Sequence, residues 1–548
     1  MKLTGNIVDI RRERIFAGEV VISFPTPDAP GVITDITETG PEDGALPYIL
    51  PGFVDSHIHI ESTLLTPRHY APLAAAHGVV GAVCDPHEIA NVLGAEGVEY
   101  MLRSASRVRF NFHFAASPCV PSTGFEHSGA TLSSEDVRAL LERDDIYGLG
   151  EMMNVPGLVF GDPEVAAKIK AARDLGKPID GHMAGSPEEW VKVCAEAGIA
   201  TDHESVDIDD ARMKLRHGLS IIIREGSAAC NYDALSPLLA DPALSRRLLF
   251  CSDDKYADEL MEGYIDDLVR ESVRRGYPLW SVLRAACINP VETYGLDDGT
   301  LRPGDKADLI VVDNLRDFTV KETLAGGRKA GECVDNQEIE PAPNNFKALP
   351  LTVKDLEVEA KSSTVRVIKI NDGQIVTESL ARDARIEDGL AVSDPSRDIL
   401  KVAVYDRYNP GARPSVGFVS GFGIREGAIA CSIGHDSHNV TVIGASDEDM
   451  VTAVNSLVEA GGGMAVVSPS EGLVTLPLPV AGLMSDRPGE EVADGYRKIK
   501  RAVLSTGCGL HAPLMTMAFL PLPVIPALKI TDMGLFDVER FGFCDLFV

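Results

Sequence analysis

Positive charge is scarce in this chain. Against 82 Asp and Glu stand only 51 Lys and Arg, a formal net charge of −31. A polyanion such as DNA or RNA is held by a basic surface that displaces counterions, so no nucleic-acid partner is expected. Long apolar runs are missing too: no stretch approaches the ~18 uninterrupted apolar residues of a membrane-spanning helix. The first residues, MKLTGNIVDIRRERIFAGEV, carry Asp and Arg where a secretory signal has a continuous apolar core. The expectation is a chain with no membrane span, placed in the cytoplasm. The ten cysteines are scattered without a CxxC pair and read as reduced, mostly packed thiols.

Apolar material is ample, at 45% of 548 residues, enough for a large central domain and at least one more. The acidic balance fits a soluble enzyme acting on a neutral or cationic small molecule, and serves solubility equally well. A homodimer is the default assembly.

From Gly5 to Tyr48 short alternating segments (NIVDI, GEVVISF, GVITDI) are separated by Gly, Pro and Asp, and LRPGDKADLIVVDNL at 301–315 has the same character. These read as strands of one small β unit built from both flanks of a larger domain. Between them lie eight apolar runs of strand length: GFVDSHIHI (52–60), VVGAVCDP (79–86), FNFHFAAS (110–117), IYGLGEM (146–152), PIDGHM (178–183), IATDHE (199–204), LSIIIREGS (219–227) and LLFCSDD (248–254). Helical stretches fill the gaps, such as PEVAAKIKAARDLGKP, and SPEEWVKVCAEAGI with Ser186 as its expected cap. Eight such β–α units predict an α/β fold, a (β/α)8 TIM-like barrel, although a doubly wound open sheet has the same local pattern. After a Pro/Asn-rich linker, PAPNNFKALP, a new alternating region begins. The expected division is 1–50 with 300–340 as a small β-sandwich-like domain, 51–299 as the barrel, and 345–548 as a C-terminal α+β domain.

Polar residues sit at the C-terminal ends of the barrel segments: His57 and His59 on the first, Glu151 on the fourth, His182 on the fifth, His203 on the sixth and Asp253 on the eighth. In a barrel these ends meet at one mouth. Strand alternation puts His57, His59 and Glu61 on one face, with Ile58 and Ile60 turned toward the surrounding core. A single strand-end histidine is more often structural than a ligand, but four imidazoles and two carboxylates in this order suit borderline divalent ions such as Zn²⁺, Mn²⁺ or Fe²⁺. Six ligands are too many for one catalytic ion with an open position and fit two ions bridged by a carboxylate, with Glu151 as the natural bridge. Ligand types alone do not rank these ions.

PGFVDSHIHIEST resembles the strand-one signature of the amidohydrolase superfamily, and GEMMN, DGHMAG, TDHES and FCSDDK are similar to its adenine deaminase branch. The resemblance covers nearly the whole chain, including LRPGDKADLIVVD, CSIGHDSHNV and LPVIPALKITDMGLFDV. Many superfamily members bridge their metals with a modified lysine; Glu151 stands at that strand end here, as in the adenine deaminase arrangement. The resemblance implies that His57, His59 and Asp253 hold one ion, His182 and His203 the other, and Glu151 both, with Mn²⁺ or Fe²⁺ ahead of Zn²⁺ as the ions. It implies a metal-activated hydroxide adding to C6 of adenine, releasing ammonia and hypoxanthine in purine salvage, with Asp253 as proton shuttle and Glu61 as the acid for N1 or a partner orienting a ligand imidazole.

Two further clusters, Asp85, His87 and Glu88 in CDPHE and His435, Asp436 and His438 in GHDSH, are candidates for substrate contact or an extra metal, or form a hydrogen-bonded loop network. Arg224 and Ser227 at the seventh strand end, and Asp254 beside Asp253, are further candidates. The rival reactions are hydrolysis of a cyclic amide and of another amino-substituted heterocycle, which the metal ligands cannot separate from adenine deamination. A non-catalytic barrel would have lost ligands, and all six are present.

Overall fold

The computed structural model describes residues 1–334 and 341–548; the end of the expected 300–340 segment lies outside these residues. Four strands open the chain: β1 (Lys2–Asp9), β2 (Arg14–Ser23), β3 (Val32–Pro41) and β4 (Tyr48–Pro51). Eight more follow: β5 (Phe53–Ile58), β6 (Val79–Cys84), β7 (Asn111–Ala116), β8 (Ile146–Met152), β9 (Ile179–Gly181), β10 (Thr201–Asp202), β11 (Ser220–Arg224) and β12 (Leu248–Cys251). After them come β13 (Leu309–Val312), β14 (Val320–Ala325) and β15 (Arg328–Lys329).

β5 to β9 form one parallel ladder and β10 to β12 another. Two seams join them. The Ala200 N–H donates to the Ile179 carbonyl at 3.0 Å, and the Asp253 N–H donates to the His57 carbonyl at 2.9 Å, closing the circle between the last strand and the first. This is the expected (β/α)8 barrel. Its strands are buried on both faces, β5 and β6 at every residue, which is why they read as near-continuous apolar runs rather than alternations.

Of the two helices read from sequence, one starts on a side-chain cap and the other does not. Pro163–Asp174 starts on Asp162, whose carboxylate accepts from the Glu164 and Val165 N–H groups. Glu188–Ala197 ends on Gly198 in the left-handed region, but its first turn has Pro187 at the cap and no side-chain capping bond. Ser186 lies one residue too early to serve.

The flanking strands do combine. β13 pairs antiparallel with β4, and β4 pairs parallel with β1, giving a seven-stranded sheet in the order β15-β14-β13-β4-β1-β2-β3. Ile7, Phe16, Val20, Ile49, Leu309 and Leu324 supply its core from both ends of the segment.

The C-terminal region carries an eight-stranded sheet, antiparallel except where Thr364–Lys369 pairs with Ser415–Ser420. The helix Asp447–Ala460, capped by Ser446, packs Met450, Val454 and Leu457 on it. This sheet-rich unit sits against the barrel mouth: Leu64, Leu65 and Tyr256 share one apolar core with Leu483, Met484 and Tyr496, and the Tyr256 and Tyr496 rings lie 4.3 Å apart. Among the described residues no helix is long and apolar enough to cross a membrane.

Candidate active site

The barrel brings all six expected side chains together at one end. His57 is the last residue but one of β5 and Glu151 lies within β8, while His59, His182 and His203 are the first residues beyond their strands and Asp253 the second. Glu151 is the hub. Its Oε2 lies 3.0 Å from His182 Nδ1, 3.1 Å from His203 Nε2 and 3.8 Å from His57 Nε2, and its Oε1 lies 3.5 Å from His59 Nε2. Asp253 Oδ1 is 3.3 Å from His59 Nε2. All but His182 are at most 5% exposed. Asp253 has φ of 56°, a left-handed conformation costing a non-glycine residue about 1–3 kcal/mol, and the seam bond to His57 holds it there.

The geometry of the first two histidines fits a cation. His57 Nδ1 lies 2.8 Å from Asp180 Oδ2, and His59 Nδ1 lies 2.9 Å from the Asp85 carbonyl oxygen. Both partners are acceptors, so each ring's proton is on Nδ1 and each Nε2 presents a lone pair. Those two Nε2 atoms face each other at 3.2 Å. Lone pairs this close are satisfied by a positive ion, and His57, His59 and Glu151 have ligand atoms within 4.8 Å of one another. Glu151, His182 and His203 form a second such group, so the residues suit two ions sharing Glu151.

The electrostatics favour positive charge. Burial opposes protonation of His57, but the hydrogen bond and charge of Asp180, with Glu151 behind it, push it up to about 8, so a proton and a metal ion compete for the same Nε2 lone pair. Burial likewise opposes the Glu151 carboxylate, yet His182 and His203 hold it well below the usual range. Asp253 is held low, against its burial, first by Arg224. The Arg224 guanidinium contacts both Asp253 and Glu204, so this candidate for substrate contact is engaged in fixing a carboxylate of the cluster. Ser227 donates to Glu259 Oε2 at 2.5 Å and accepts from the Tyr256 N–H, facing the following helix. Asp254 Oδ1 accepts from Ser62 Oγ at 2.5 Å, beside His59.

Glu61 departs from the strand argument. β5 ends at Ile58, and Ile60–Thr63 forms a single 3-10 turn, so alternation does not carry Glu61 onto the face of His57 and His59. The turn aims it at the helix His87–Leu93, where Oε1 accepts from the Ile89 N–H at 3.1 Å and Oε2 has no partner. Burial, reinforced by the nearby Glu88 charge, pushes its carboxyl up to about 7.

The CDPHE and GHDSH clusters meet although 347 residues separate Glu88 from His435. Asp85 Oδ2 accepts from the Glu151 N–H at 2.8 Å, over Gly150, where a Cβ would sit 2.0 Å from that oxygen. His87 Nδ1 lies 3.5 Å from Glu151 Oε1. Glu88 is gripped by His435 Nδ1 at 2.6 Å and approached by His438 Nε2 at 2.5 Å. The C-terminal region therefore forms a wall of the site.

Asp180, Glu204 and Asp55 were not among the sequence-expected residues. Asp55 accepts from Ser252 Oγ at 2.6 Å and from the Tyr264 hydroxyl behind β5. A sequence signal existed: an aspartate precedes three of the strand-end histidines by one or two positions, in DSH, DGH and DH. It gives no partner, since Asp180 supports His57 across the barrel rather than its neighbour His182.

The amidohydrolase family profile matches residues 48–330, and that of the adenine deaminase C-terminal domain matches 374–542. A Salinibacter ruber protein named adenine deaminase is 48% identical over 100% of this chain and 99% of its own. Proteins of the same name from Parabacteroides distasonis (42%, 100% of this chain and 98% of that one) and Methanosarcina barkeri (43%, 99% and 98%) are similar throughout. With two family domains matched and this identity sustained end to end, the chain belongs to the adenine deaminase family of amidohydrolases.

Proposed function

We infer that this chain hydrolyses adenine to hypoxanthine and ammonia, in purine salvage. The observation that carries the reading is the pair of lone-pair-bearing His57 and His59 nitrogens closing on the Glu151 hub, in a chain whose C-terminal region also matches the adenine deaminase domain. That domain favours adenine over the cyclic-amide and other heterocyclic substrates that the same ligands could serve.

In this reading His57, His59 and Asp253 would hold one divalent ion and His182 and His203 the other, with Glu151 available to both. Two ions there would supply Lewis acidity and lower the pKa of the attacking water. Asp253 takes a proton from the water that adds to C6 and returns it to the departing amino group, so water is consumed and ammonia leaves. Glu61 donates to N1; its unpartnered Oε2 and raised pKa support a protonated carboxyl in that role. The nitrogen–oxygen ligand set accepts Mn²⁺, Fe²⁺ and Zn²⁺ alike; Mn²⁺ or Fe²⁺ is placed ahead of Zn²⁺ on the family resemblance alone.

The same reading divides the chain into 1–50 with 300–340, 51–299 and 345–548, supported by the separate sheets. Cytoplasmic placement is supported by ten free cysteines. The homodimer rests on the prevalence of two-fold assemblies, and sedimentation analysis tests it. The function is tested by screening metal-reconstituted protein for ammonia release from purines and cyclic amides. Adenine should be the substrate turned over; selective turnover of a cyclic amide would overturn the reading.

A further inference from the structure

We propose that Asp436, on the C-terminal loop 432–439, recognises the N9–H of the free purine base, making that loop the selector for an unsubstituted five-membered ring. The proposal rests on the adenine reading above and adds a residue outside the barrel to it.

The loop joins the strands Ala428–Cys431 and Val440–Gly444 and is fixed from several sides. His435 bonds Glu88, its N–H donates to the Ala518 carbonyl, and its ring stacks on Phe519 at 4.4 Å. The Tyr408 hydroxyl donates to the Ser437 carbonyl at 2.6 Å, and Asn439 Nδ2 donates to the His127 carbonyl at 2.8 Å. A wall braced in this way is preorganised for a ligand.

Yet it presents polar atoms that none of the described residues satisfies. Asp436 is 2% exposed and its Oδ2 has no hydrogen-bond partner; His435 Nε2 beside it is likewise unpartnered and buried. Buried polar groups are nearly always paired, so orphans grouped at an active site point to a ligand that completes them. With Nδ1 directed at Glu88, His435 turns only Nε2 toward such a ligand.

Position selects the atom recognised. His87 stands between Asp436 and the ligand cluster: Nδ1 is 3.5 Å from Glu151 Oε1, and Nε2 is 3.9 Å from Asp436 Oδ1. Asp436 is thus one imidazole removed from the reacting end. In adenine, C6 and N9 lie at opposite ends of the fused ring, so a base with C6 at the Glu151 hub turns its N9 edge toward Asp436. A carboxylate oxygen only accepts, and N9–H is the donor a free base has and an N9-substituted base lacks. The enclosure adds a steric bar, because Asp436, His435 and His438 are each no more than 2% exposed.

The test compares adenine with 9-methyladenine on metal-reconstituted enzyme. The wild type should favour adenine by about 10- to 100-fold in kcat/KM, the cost of leaving one buried acceptor unpaired. Asp436→Ala should lower kcat/KM for adenine about 10- to 100-fold while leaving that for 9-methyladenine nearly unchanged, so the ratio collapses. Bound metal, measured in the same samples, should stay at the wild-type level. If Asp436→Ala does not fold, the shape-matched Asp436→Asn should collapse the ratio by a smaller factor. An unchanged ratio, or loss of metal from a folded variant, overturns the proposal while the adenine reading stands. Absence of adenine turnover by the wild type removes both.

Discussion

Asp180 Oδ2 lies 2.8 Å from His57 Nδ1, joining β9 to the end of β5 across the barrel interior. The bond sets the tautomer that turns His57 Nε2 toward His59 and Glu151. Asp180 is itself held by the Thr201 hydroxyl and its own Oδ1 contact with the Gly181 N–H, so the imidazole's orientation is fixed from behind.

Asp180→Asn should therefore weaken metal binding roughly 10- to 100-fold, the range for a partner that orients a ligating histidine. A chelator titration of the reconstituted enzyme, followed by metal analysis, measures it. Wild-type affinity in the variant would show that His57 keeps its orientation without the carboxylate.

Glu151→Ala takes the shared ligand from both groups, and bound metal and ammonia release should vanish together. Chelation of the wild type should have the same effect, reversed by adding Mn²⁺. Full turnover by a metal-free preparation would refute the two-ion site.

Asp253→Asn separates holding an ion from moving a proton. It preserves one ligating oxygen and the seam bond through the main chain, so much of the metal should remain. The rate should fall about 10²- to 10⁴-fold, the usual contribution of a positioned acid–base group. Normal kcat would assign proton transfer elsewhere.

Stability should depend on pH through His113 and Asp298, paired at 2.5 Å where β7 meets the chain leaving the barrel. Burial disfavours the charged imidazole, but Asp298 raises it overall; burial also opposes the Asp298 carboxylate, and His113 lowers it overall. The histidine's contribution is complete below its unfolded pKa of about 6.5 and is lost as pH rises through the raised value. The aspartate's is complete above about 3.9 and is lost as pH falls through the lowered value. Thermal unfolding against pH should show both limbs, and His113→Gln should flatten them and cost about 1–3 kcal/mol. Parallel curves for the two proteins would exclude this pair as the source.

Eight apolar runs ending in ligand-type residues were enough to read the barrel and its six-residue cluster from sequence, because parallel strands are buried on both faces and carry their functional groups at one end. Strand alternation does not reach Glu61, since it holds only while the strand lasts and a 3-10 turn starts at Ile60. The meeting of Glu88 with His435 was out of reach: their hydrogen bond spans 347 positions, and no local period encodes such a contact. Asp180 was visible but unassignable, because its partner lies on a different strand.

The seam between β12 and β5 is made at two residues proposed to hold one ion, with the Asp253 amide bonded to the His57 carbonyl. An ion held by both side chains would bind the closed barrel and not one parted at that seam. Metal affinity and local opening are then two measurements of one equilibrium: removing the ion should speed hydrogen exchange at the Asp253 amide before the rest of the barrel loosens. The centre that activates water would also be the latch of the fold.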